Sequence, residues 1–121
     1  MQYMNTAKDI FKIIGDLETV ALYVTTKEEG NVKPEELKEA YINASNKVVQ
    51  AERELKALNL SRDDSKHLTL IRDGLKQTRK ALIAMSEGKG SLAKILMSQA
   101  NTKMAEYTHR KSKSNKRSPN G

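Results

Sequence analysis

Four stretches of this chain repeat apolar residues at alternating steps of three and four. That spacing places the apolar side chains along one side of a helix, so each stretch is expected to be helical with one face to bury. In the first, predicted over residues 6–29, Ala7, Ile10, Ile14, Leu17, Ala21 and Val24 form the stripe. Phe11, Ile13 and Val20 widen it, which makes this the helix expected to be most buried. Thr6 followed by Asp9 supplies acceptors for the unpartnered N–H groups of the first turn. Gly30 and Asn31 supply the stop. The run from Val20 to Thr26 is β-prone, but it continues the stripe and is assigned to the helix.

The second helix is predicted over 34–59. Pro34 suits its first position, where an N–H would find no partner, and Glu35, Glu36 and Glu39 place negative charge at the positive end of the helix dipole. Leu37, Tyr41, Ala44, Val48, Ala51, Leu55 and Leu58 form a heptad seam. The third, 62–87, follows Ser61 as a cap with Asp64, and carries Leu68, Ile71, Leu75, Thr78, Leu82 and Met85. The fourth, 92–110, follows Ser91 as a cap and carries Ala93, Met97, Ala100, Met104 and Tyr107, with Leu92, Ile95 and Leu96 beside them. Similar lengths and short breaks turn each helix back beside the one before. The expected fold is all-α, an antiparallel up-down-up-down four-helix bundle. The alternative is a set of helical hairpins that complete their core by dimerising, because only 37% of the 121 residues are hydrophobic and the chain has one Phe and no Trp.

Charge is distributed unevenly. The formal total is +7, yet residues 1–61 carry a small acidic excess, and the five cations after His109 (Arg110, Lys111, Lys113, Lys116 and Arg117) meet no acid. Residues 110–121 lack apolar side chains, so they are expected to form a disordered basic tail. Such asymmetry points to a polyanionic partner for the tail or to a merely solubilising end. Within the body, Arg72, Lys76 and Arg79, with Lys80 adjacent, fall on one flank of the third helix and form the best candidate contact for phosphates, set against an ordinary solvated flank. No aromatic interleaves with them, which argues against stacking on single-stranded bases.

Other chemistry finds little support. Without cysteine there is no disulfide, zinc ribbon or thiolate nucleophile. His67 and His109 are the only histidines. Asp64 and His67 make one half of a carboxylate-bridged di-metal pattern, with no second half. Gly88-Lys89-Gly90-Ser91 lacks the spacing of a phosphate-binding loop and suits a helix–helix turn. Gly15 and Gly74 sit within helices, as close-contact points or as tolerated residues. Met85, Met97 and Met104 suit either an adaptable groove or plain core packing, and their place on the seam favours packing.

No stretch has the ~20 apolar residues of a membrane-spanning helix, and the first residues lack a secretory pattern, so a cytoplasmic location is favoured over a mature exported fragment. No cofactor or metal is called for. The expected function is a non-enzymatic protein–protein interaction module, partnered by another protein or by a second copy, with the tail adding electrostatic attraction. The alternative is a sequence-indifferent nucleic-acid accessory protein.

Overall fold

In the computed structural model, which describes the backbone of residues 5–117 and the side chains as far as Arg110, four helices follow in order. They are α1 (Ala7–Glu29), α2 (Pro34–Ala57), α3 (Arg62–Ser86) and α4 (Gly90–Arg117). Each packs antiparallel on its predecessor to make the expected four-helix bundle, and no strand occurs among the described residues.

Local chemistry sets the helix ends. At α1, the Thr6 hydroxyl accepts from the Lys8 N–H, and the Asp9 carboxylate accepts from the Thr6 N–H at 2.8 Å. The helix stops at Gly30, and Asn31 takes a left-handed conformation. Asn5 ties the start of the chain to the α2–α3 turn: its side-chain oxygen accepts from the Asn59 N–H at 2.7 Å. Ser61 caps α3 through the Asp64 N–H. At the end of α3, Gly88 sits at φ 78°, a conformation that needs no side chain. This lets the Gly88 and Lys89 N–H groups reach back to the carbonyls of Met85 and Ala84.

The α3–α4 turn differs from expectation in one respect. α4 begins at Gly90, so Ser91 lies inside the first turn and is not its cap; the Lys89 carbonyl accepts from the Ala93 N–H. The other end of α4 differs more. The helix was expected to end at residue 110 and continues to Arg117. Lys and Arg have high helix propensity and interact favourably with the negative end of the dipole, so loss of apolar residues does not end the helix there. The last part of the predicted tail, residues 118–121, lies outside the described residues.

The core follows the α2 and α3 seams closely. Tyr41, Ala44, Val48, Ala51 and Leu55 of α2 are buried, as are Leu68, Ile71, Leu75 and Leu82 of α3. Gly74 explains how α4 sits so near α3. A Cβ there would lie 2.9 Å from the Met104 sulfur and 3.4 Å from the Ala100 carbonyl, so Gly74 is a close-contact point. Small side chains continue that seam at Ala81, Ala84, Ala93 and Ala100, all buried. Gly15, by contrast, faces open space.

α1 overturns one expectation outright. It is not the most buried helix: of its residues only Ile10, Ile13 and Val24 are buried, while Phe11 is 52% exposed and Leu22 67% exposed. The reason is topological. α1 forms a packed seam with α2, but α1 and α4 lie apart along most of their length.

Candidate functional site

The separation of α1 and α4 leaves a groove. The two helices meet at one end, where the rings of Phe11 and Tyr107 lie edge to face with centroids 6.0 Å apart. Beyond that contact they diverge around a cleft of about 940 Å³. Its α1 wall includes Ile14, Leu17, Ala21 and Val24, and its α4 wall includes Ala93, Met97, Asn101 and Ala105. The floor is made by Tyr41, Ala44 and Val48 of α2 with Leu75, Leu82 and Met85 of α3. Met85, Met97 and Met104 all line it; Met85 and Met104 are half-buried and packed against the core, as their place on the seam implied, and only Met97 stands on the open wall. Met97 is 40% exposed despite its place on the periodic seam. Polar groups stand on the walls: Glu18 and Glu28 on α1, Lys94 and Ser98 on α4.

At the wide end of the groove the Tyr41 hydroxyl donates to Glu28, joining α1 to α2 across the loop between them. Lys27 and Glu36 pair nearby at 3.4 Å. Burial, followed by the Glu28 carboxylate, holds the Tyr41 hydroxyl protonated well above the usual tyrosine range. Tyr41→Phe is expected to cost about 1–2 kcal/mol at neutral pH, read by urea denaturation. The pH dependence has a definite sign. Above about pH 10 an unfolded tyrosine loses its proton while the folded Tyr41 keeps it, so stability falls as pH rises further. That alkaline decline is expected to be shallower in Tyr41→Phe.

The histidines do not assemble a reactive site. His67 places Nδ1 3.0 Å from its own helix's Asp63 carbonyl and sets its ring edge-on to Tyr107, centroids 6.5 Å apart. His109 is exposed. Among the described residues no group of three His, Asp or Glu side chains converges as metal ligands would. The Gly88–Ser91 segment forms the α3–α4 turn described above.

The cations singled out from sequence separate into three kinds. Arg72, Lys76 and Lys80 are exposed on α3. Arg79 is not part of their free surface: its Nε donates to Glu52 of α2 at 2.8 Å, with both side chains about a quarter exposed. Arg110 is exposed and pairs with Glu106 one turn back at 2.8 Å. Lys111, Lys113, Lys116 and Arg117 lie on the last turns of α4, and their side chains are outside the described residues. The Arg79–Glu52 pair links positions 27 residues apart, and no local spacing signals it.

No protein-family model matches this chain, and neither a curated protein nor a solved structure matches it. No described helix is long and apolar enough to cross a membrane.

Proposed function

We propose that the protein is a non-enzymatic interaction module whose α1–α4 groove receives an amphipathic helix of a protein partner. The observation that carries this reading is the open, apolar cleft between two helices that stand apart. From Ile14 to Glu28 its α1 wall runs about 20 Å, and the α4 wall from Ala93 to Ala105 nearly as far. That is room for three to four helical turns, roughly 13 residues. Three methionines suit such a cleft, since an unbranched thioether chain reshapes itself around an incoming side chain. A docking helix would present apolar residues at i, i+3, i+4 and i+7 to the floor. Glu18 and Glu28 favour Lys or Arg on its flank facing α1, and Lys94 favours an acid on the other.

The test uses a synthetic helical peptide of about four turns, with one leucine stripe and lysines on one flank, beside a scrambled version. Amide shifts of the intact protein are expected to move at Ala21, Met97 and their neighbours with the patterned peptide alone. Met97→Asp and Ala21→Asp, both at accessible wall positions, are expected to weaken binding at least tenfold while leaving thermal melting little changed. Equal binding of the scrambled peptide, or shifts scattered away from the groove, would overturn the reading.

A further inference from the structure

A second surface, away from the groove, is predominantly cationic. On the exposed side of α3, Arg62, Lys66, Arg72, Lys76 and Lys80 fall on a single face. They span nineteen residues of helix, about 27 Å from first to last. None of them is in an ion pair: the pairs among the described residues are Lys27–Glu36, Arg79–Glu52, Lys89–Glu87 and Arg110–Glu106. Two acids belong to this side of the helix: Asp73, half-buried, lies on the row between Lys66 and Lys80, and Asp63 is exposed beside Lys66.

The Arg79–Glu52 pair extends this face onto α2. It marks the register of the two antiparallel helices, and it neutralises a carboxylate of α2 on this side. One turn onward from Glu52 along α2 is Lys56, and one turn back from Arg79 along α3 is Lys76. In an antiparallel pair those steps run in the same direction, so Lys56 falls level with Lys76. Arg53 is exposed beside it. The backbone of α4 passes the far end of the stripe. The His67–Tyr107 ring contact sets α4 level with α3 at that point, so α4, ending at Arg117, runs about one turn beyond the first residue of α3.

We infer that this α2–α3 face binds the phosphate backbone of a nucleic-acid duplex. Cations four residues apart advance by about 6 Å per step along a straight helix, a linear array suited to a row of single negative charges. A duplex fits better than a single strand, because no aromatic ring stands among these cations to stack on a base. It also fits better than an anionic membrane: the stripe carries no large apolar residue to insert until Ile83, beyond its end. Binding of this kind is indifferent to sequence, because phosphates carry no base information.

The experiment is fluorescence anisotropy of the intact protein with a labelled 20-base-pair duplex in low and in physiological salt. With about four phosphates neutralised, affinity is expected to fall roughly a hundredfold between 50 and 200 mM salt. The double substitution Arg72→Glu/Lys76→Glu is expected to weaken binding at least tenfold at the lower salt. Lys12→Glu/Lys33→Glu, which makes the same change in net charge at exposed sites on α1 and its following loop, is expected to change it less than twofold. Replacing Lys111, Lys113 and Lys116 by Gln is expected to leave the effect of Arg72→Glu/Lys76→Glu intact. The assignment is overturned by no binding at 50 mM salt, by equal losses in the two charge-reversed proteins, or by loss of all binding on tail substitution alone. It is equally overturned if phosphatidylserine vesicles or an acidic peptide are preferred to the duplex.

Discussion

Leu55→Ala is expected to destabilise the protein by about 3–5 kcal/mol, whereas Met97→Ala costs less than about 1 kcal/mol. Both residues sit on a heptad-like seam, and sequence spacing gives no reason to separate them. Leu55 is fully buried in the main core cluster, so its truncation removes apolar contacts and leaves a cavity. Met97 lies on the groove wall, already partly in water, so truncation leaves no enclosed void. Urea denaturation of the two variants measures the contrast. If both losses were large and similar, α1 would have to cover Met97 in solution and the groove would be closed. The cost at Leu55 is a large share of what such a domain has, since natural domains are stable by only ~5–15 kcal/mol.

Gly74→Val is the second large effect, expected to lower stability by about 2–3 kcal/mol and the melting midpoint by roughly 10 °C. The added Cβ meets the Met104 sulfur at 2.9 Å and the Met104 Cγ at 3.2 Å, with the Ala100 carbonyl behind them at 3.4 Å. The methionine chain can turn aside, but the carbonyl belongs to the α4 backbone and cannot. The branch of valine brings two further methyl groups into the same gap, so α4 must move off α3. Gly15→Val, made in open space, lacks that penalty. Thermal melts of the two variants, read side by side, separate crowding from the general cost of a β-branched residue in a helix.

The fold was legible because each helix announces its own period. The α2 seam from Leu37 to Leu58 is buried or half-buried at every position, and the caps at Thr6 and Ser61 form the hydrogen bonds their spacing implies. Periodicity identifies which side of a helix is apolar. It does not say whether a neighbour covers that side. Met97 shows the difference: it belongs to an apolar stripe and remains accessible because α1 and α4 stand apart at its level. Arg79 shows a second limit. Its partner Glu52 is set by the register between two helices, which local spacing does not encode. The length of α4 shows a third. Absence of apolar residues after His109 speaks to burial, while the propensity of Lys and Arg governs the backbone.

The single seam between α1 and α2 sets how wide the cleft stands. Phe11 against Tyr107 holds α1 at one end and the Tyr41–Glu28 bond holds it at the other, so α1 has the construction of a clamp's jaw. Rocking it on α2 changes the gape without disturbing the tightly nested α3–α4 pair. If the groove receives a helix as proposed, occupants of different girth would be accommodated at the cost of one hydrogen bond and a slight shift of one helix.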